Sequence, residues 1–267
     1  MPHRRSRTRP NFVSTALAAA FALTGLGLLS PTASAGQQAD ATVIHAGWLL
    51  AVPGEEPLTD VSVIVRGGVI EAIEEGFVTP SGADVVDLSE QYVMPGFIDS
   101  HVHLSSELGP DRALNSVALN STDVVLDAAR NARTTLMAGF TTVQDVGGAL
   151  DGMTALRDGI ADGDVVGPRL RVSGPGVTPT GGHGDANGWA LGVMDLLGNR
   201  FACNGPADCR RAVRELVRGG VDVIKITATG GVLSNTAAGV EQQFFDDELV
   251  AIVEAARMMG RKVTAHA

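Results

Sequence analysis

The feature that most limits what this chain can become is the regular alternation, from Tyr92 to Ala267, of short β-rich runs with longer stretches of helical periodicity. The runs close on His103, Val146, Ser173, Ile226 and His266. Helical pattern covers about residues 111–137, 153–161, 206–218 and 246–259, with Gly139, Gly219-Gly220 and Gly260 as stops. Each helix brings the chain back to the edge it left. That rhythm builds a parallel sheet with right-handed crossovers, as an open doubly wound sheet or as a (β/α)8 barrel. One connection is too long for a plain link: after Ser173 a loop of roughly thirty residues precedes the helix at Pro206.

Residues before Tyr92 follow another pattern. Between Thr42 and Leu88 there are strand signals without helices, including Val61–Arg66 and Val69–Glu74 on either side of a Gly67-Gly68 hairpin turn. Such a meander buries too little apolar surface to stand alone. His45, inside its first strand, reads as structural. The opening segment reads as a secretory signal peptide over residues 1–35: Arg4, Arg5, Arg7 and Arg9, then an uncharged Ala/Leu-rich stretch, then Ala33-Ser34-Ala35. The expectation is export to a periplasmic or extracellular space with no stable membrane anchor. Residues 1–35 hold four of the 20 basic side chains and none of the 30 acidic ones, so the remainder is 14 charges negative. Nucleic acid is therefore not an expected partner. Cys203 and Cys209 flank turn-forming residues and read as a short-loop disulfide in an exported protein. A metal-binding pair lacks further thiols, and two free thiols are the remaining alternative.

In a parallel sheet all strand C-termini meet at one edge, and potential ligands gather there. Asp99, His101 and His103 share one face of an extended strand, and two imidazoles on one face can grip one ion. Lys225 lies one residue before the end of the run Val221–Ile226, and His266 ends the run Lys262–His266. Alternation turns Lys225 with Val223, and His266 with Thr264, to the inside of a barrel, leaving Ile224, Ile226, Val263 and Ala265 to the helices. A lysine in an apolar strand is paired with a carboxylate such as Asp145 or Asp222, or its amine has reacted with carbon dioxide to give a carbamate able to bridge two metals. His183, on the glycine-rich loop Gly174–Asp185, is either an idle surface histidine or a donor to an oxyanion or a substrate carboxylate.

Gly96-Phe97-Ile98-Asp99-Ser100-His101-Val102-His103, Asp222-Val223-Ile224-Lys225-Ile226 with Gly230-Gly231, and Val263-Thr264-Ala265-His266-Ala267 together closely resemble the amidohydrolase superfamily. Within it they are most similar to the imidazolonepropionase-related Xaa-Pro dipeptidases, or prolidase-like enzymes. The resemblance implies a (β/α)8 TIM-type barrel beside a small β-sandwich. Its N-terminal part would be residues 36–91, and 92–267 would supply the first five β/α units. It implies two divalent metal ions, with zinc the expected metal: His101 and His103 on the more buried ion, carboxylated Lys225 bridging, His266 on the second. The implied reaction is hydrolysis of the amide bond of a dipeptide or N-acyl amino acid through a metal-bridging hydroxide. The substrate would be a small molecule or dipeptide, and nothing in the residues forbids an oligomer.

A whole barrel takes about 250 residues, more than the stretch from Tyr92 to Ala267. The superfamily's histidine after strand six and aspartate after strand eight find no counterpart. Two expectations of different class follow. One is a metal-dependent amidohydrolase of which these residues form only the N-terminal part, truncated after strand five and inactive alone. The other is a natural, catalytically inactive metal-binding fragment.

Overall fold

The structure is a computed structural model and describes residues 41–232 and 239–267. The segment read as a signal peptide, 1–35, lies outside the described residues. The chain divides into two compact units, one taking in the described residues up to Trp48 and Thr59–Gln91, the other Leu49–Leu58 and Tyr92–Ala267.

The first unit is a four-stranded sheet of β1 (Ala41–Leu49), β2 (Leu58–Arg66), β3 (Val69–Glu75) and β4 (Asp84–Val93), in the order β3-β2-β1-β4. β2 and β3 pair antiparallel through a turn in which Gly67 and Gly68 both take positive φ, 58° and 78°. That left-handed pair is the geometry that matches the twist of a tight hairpin, and glycine adopts it without strain. His45 is half-buried on β1; its Nε2 lies 3.2 Å from the Val78 carbonyl oxygen and its ring packs on Phe77. Its surroundings are structural.

The second unit is α/β. In chain order it has β5 (Phe97–Val102), α1 (Arg112–Ala118), α2 (Ser121–Met137), β6 (Phe140–Asp145), α3 (Leu150–Ala161) and β7 (Arg169–Val172). Then come α4 (Leu191–Leu197), α5 (Pro206–Arg218), β8 (Val223–Thr227), α6 (Asp246–Met258) and β9 (Lys262–His266). β5-β6-β7 form one parallel sheet and β8-β9 another.

Three features differ from the sequence expectation. The helix expected over 111–137 is broken at Leu119-Asn120, because Asn120 and Asp123 form a capping box that starts α2 afresh. The long loop after β7 contains a helix of its own, α4. The parallel sheet is in two pieces, for a local reason. Asp222 N–H donates to the Val172 carbonyl and its carboxylate accepts from Val172 N–H, which links β7 to the foot of β8. Further along, Val177 from the loop moves in beside β8, its N–H donating to the Lys225 carbonyl and its carbonyl accepting from Thr227 N–H. A loop residue thus occupies the edge that a β7 ladder would have used.

Alternation along the strands decides which face is core. Ile224 and Ile226 pack with Val213 and Leu216 of α5 and Ile252 of α6, all essentially buried. Fully burying a side chain of this size stabilises the fold by about 1.5–3 kcal/mol. On α5 the buried residues Cys209, Ala212, Val213 and Leu216 follow the i, i+3, i+4, i+7 spacing of one helical face. A second core joins Leu104, Val143 and Val172 at the β5-β6-β7 sheet to Ala128, Met153 and Leu156 of the helices. The intervening residues of β8, Lys225 and Thr227, face away from the α5–α6 core and line a cleft.

Candidate active site

The cleft, of about 1030 Å³, opens at the strand C-termini, and its walls carry His101, His103, His183, Lys225 and His266. In a parallel sheet this is the edge where chain direction delivers strand ends, with loops free to vary around them. His101 sits at the end of β5, its N–H held by the Asp99 carboxylate. His103 follows on the same face, the two ring centroids 5.5 Å apart. A Cβ on Gly147 would come within 2.6 Å of His103 Nδ1, so the second residue past β6 is small where the imidazole leans on the backbone.

Lys225 Nζ lies 3.5 Å from His101 Nε2. The residue is only 4% exposed, and among the described residues no carboxylate pairs with it. Both carboxylates the sequence offered as partners are engaged elsewhere. Asp222 pairs with Arg157 at 3.0 Å, and Asp145 accepts the N–H groups of Leu104 and Gly147. Burial pushes the Lys225 amine below its ordinary pKa. Burial, then the field of neighbouring basic groups, likewise holds His101 and His103 below the usual imidazole value. Unprotonated imidazoles and an amine that gives up its proton readily form a donor set suited to divalent cations. Among the described residues, no three His, Cys, Asp or Glu side chains are grouped closely enough to hold an ion. The donor standing beside the imidazoles is Lys225.

His183 belongs to the cleft rather than to the open surface. Its ring stacks on His266 at 4.4 Å, and its Nδ1 is buried without a hydrogen-bond partner. The backbone N–H of His183 donates to Gln243 Oε1 at 2.8 Å, and a Cβ on Gly231 would strike the ring at 2.5 Å. The loop that carries it is braced by Asn199, whose side-chain amide donates to the carbonyls of Gly176 and Gly184. Cys203 and Cys209 are bonded to each other, both fully buried where the chain enters α5. They stand in the helix-side core, away from the imidazoles.

Three site features escaped the sequence reading. Gly147 and Gly231 meet imidazoles that only folding brings near them. Asp145 is fully buried, and its carboxyl is pushed up to about 6 by desolvation. Arg112, at the first position of α1, lines the cleft. A cation in the first turn opposes the helix dipole, and that local conflict was visible in the sequence.

Ochratoxinase of Aspergillus niger is 32% identical to this chain, an alignment that covers 86% of the chain and 50% of the relative. The chain therefore spans about half the length of the curated relative it matches. Among solved structures, an Xaa-Pro dipeptidase with methionine bound in its active site superposes with a TM-score of 0.78 at 34% identity, over 85% of this chain and 57% of that one. A prolidase complexed with N-methylphosphonate-L-proline gives a TM-score of 0.74 at 31% identity, over 85% and 56%. The pattern of the amidohydrolase family matches residues 92–267, the whole stretch that holds the cleft and its four histidines. The chain belongs to the amidohydrolase family.

Proposed function

We propose that the protein is a metal-dependent amidohydrolase that cleaves the amide bond of a dipeptide or N-acyl amino acid. The observation that carries this reading is Lys225, a buried amine that among the described residues has no carboxylate partner and stands beside an imidazole nitrogen. An isolated buried ammonium is costly, and an amine that loses its proton easily is the form that adds to carbon dioxide. The new N–C bond releases a proton and gives a carbamate. His101, His103, carboxylated Lys225 and His266 would then hold two divalent ions, with zinc the metal expected. Bound there, the ions would polarise the scissile carbonyl and lower the pKa of water near it.

The chain's own residues do the rest. The Asp99 carboxylate holds the backbone N–H of His101, and the close approach of Gly147 limits where the His103 ring can turn. His183, set against Gly231 and His266, offers a donor to the carbonyl oxygen as negative charge develops on it. Within this reading the second unit is the first five β/α units of a (β/α)8 barrel, and the first unit is part of the accompanying β-sandwich. Export to a periplasmic or extracellular space is proposed from Arg4 to Ala35, and the Cys203–Cys209 bond fits an oxidising compartment. Among the described residues no helix is long and apolar enough to cross a membrane.

The test combines metal analysis with hydrolysis of a panel of dipeptides and N-acyl amino acids by the purified protein, with and without Lys225→Ala. The expected result is bound divalent metal and hydrolysis that both fall in the variant. Equal metal content in the two proteins would remove Lys225 from the site and overturn the reading.

A further inference from the structure

Asp145, the last residue of β6, is an acid at a core position: it is fully buried, and among the described residues no cation pairs with it. Its only partners are two backbone N–H groups, and they come from either side of His103. Leu104, the residue after His103, donates its N–H to Oδ2 at 2.6 Å. Gly147 donates its N–H to Oδ1 at 3.0 Å. Gly147 is also where the His103 ring rests, since a Cβ there would stand 2.6 Å from Nδ1. The φ of Gly147 is not positive, so the ring and not the backbone calls for glycine.

The strand ladder does not hold these two segments together. Val146 N–H donates to the Val102 carbonyl at 3.0 Å, and past that bond no backbone hydrogen bond joins the two strand ends among the described residues. The Asp145 side chain takes over where the ladder stops. Leu104 is pinned on its other sides as well: its carbonyl accepts from Asn131 Nδ2 at 3.0 Å, and its side chain lies in the core. A turn-forming role accounts for one arm of the carboxylate only, because an acid that bonds the N–H two residues on makes an ordinary Asx turn. The other arm crosses 41 residues of sequence to Leu104 and serves no local geometry. Asparagine would make the turn without a charge, but it presents one acceptor and one donor where two N–H groups need two acceptors. An ionised carboxylate accepts on both arms, and burying it is costly.

We infer that Asp145 is the positioning residue of His103: its carboxylate locks the two backbone segments that set the imidazole, and so fixes the direction in which that ring meets a divalent cation. The inference rests on the metal-dependent reading of the cleft and deepens it, because the two ions must then respond unequally to the loss of one buried acid. His101 and His103 stand at the end of β5, whereas Lys225 and His266 stand on β8 and β9, a separate sheet that the Asp145 carboxylate does not bond. Loosening the clamp weakens the ion at the paired imidazoles and leaves the ion at His266 in place.

The test follows the full chain by NMR without metal, then through a titration with cobalt(II) against a competing chelator, the shifted ring protons of His103 and His266 reporting the two ions separately. In the parent protein the Leu104 and Gly147 amides are expected to exchange slowly with solvent, and Gly147 Hα to show a contact with the His103 ring. Asp145→Asn is expected to lose that contact and to weaken the ion at His103 about 10–100-fold, with the ion at His266 retained. Asp222→Asn is the control, since it disturbs a second strand-end carboxylate at the opposite end of β8, and is expected to lower the melting temperature with cobalt(II) affinity unchanged. Equal weakening of both ions, an intact ring contact in Asp145→Asn, or the same loss in Asp222→Asn would overturn the assignment. Should Asp145→Asn fail to fold, the parent spectra decide instead: fast exchange at either amide, or no contact between Gly147 and the ring, sinks the inference. A parent protein that binds no cobalt(II) removes the metal reading alone, and the metal-free spectra of Asp145→Asn still show whether the ring depends on the clamp.

Discussion

The imidazoles of His183 and His266 lie stacked, their centroids 4.4 Å apart and their planes 28° from parallel. One comes from the loop after β7 and the other from the end of β9, so two distant parts of the chain share one wall of the cleft. After burial, the field of His266 is the next largest reason that His183 stays below the usual imidazole pKa. Replacing His266 by Ala removes that field and uncovers the ring, and both changes favour the protonated form. The His183 titration, followed by NMR of the ring protons in metal-free protein, is expected to move to higher pH. A midpoint that stays put would mean the two rings do not sense each other.

Lys225 gives a stability test independent of any metal. Its amine is buried and its pKa lowered, so the folded state disfavours the charged form. In metal-free protein that cost is present at neutral pH and disappears as pH rises through the folded pKa toward the ordinary lysine value. Lys225→Met keeps the volume without the charge. It is expected to raise stability at pH 7 by about 1–3 kcal/mol, with the gain shrinking as the pH approaches the ordinary lysine value. Urea unfolding at the two pH values measures it, and a destabilised variant at pH 7 would contradict the account.

Asp145 acts in another window. Its carboxyl is pushed up to about 6 by burial, against two backbone N–H donors that pull it down. A raised acid leaves the fold undisturbed while protonated and weakens it as pH climbs from the unfolded value toward the folded one. Metal-free protein is therefore expected to lose roughly 3 kcal/mol between about pH 4 and 6 from this group. Asp145→Asn should flatten that slope, whatever its absolute stability. An unchanged slope would place the titration elsewhere.

Gly147→Ala tests the packing behind the paired imidazoles. The added methyl would stand 2.6 Å from His103 Nδ1, so the ring must turn. Metal affinity is expected to fall about 10–100-fold, the scale seen when groups orienting a ligand are disturbed. Competition against a chromogenic chelator reads this directly; full affinity would show that His103 is not held by that contact.

What the residues disclosed before folding was the part governed by local rules. Alternation along Val223–Thr227 sorted Ile224 and Ile226 to the helices and Lys225 to the cleft, and strand polarity put His101, His103 and His266 at the same edge. The capping box at Asn120 was equally local, yet the apolar periodicity running across it hid the break. Features that depend on two remote segments were out of reach. Nothing near Val177 announces that its backbone will bond to β8, and nothing near Gly231 announces His183. The isolation of Lys225 could be judged only when Asp145 and Asp222 were seen to serve other groups.

The amide of Asn199 spans the two limbs of the loop that carries His183, gripping Gly176 on one and Gly184 on the other. With its ends tied, the stretch between them and α4 hangs outside the frame. Asn187 is tied to the same frame, its side-chain amide donating to the Gly182 and Asp185 carbonyls, so it is the stretch from Gly188 to Leu197 that can be exchanged in length or character without shifting the imidazole upstream. The same brace that steadies the chemistry leaves a detachable cassette for retuning which side chains are admitted.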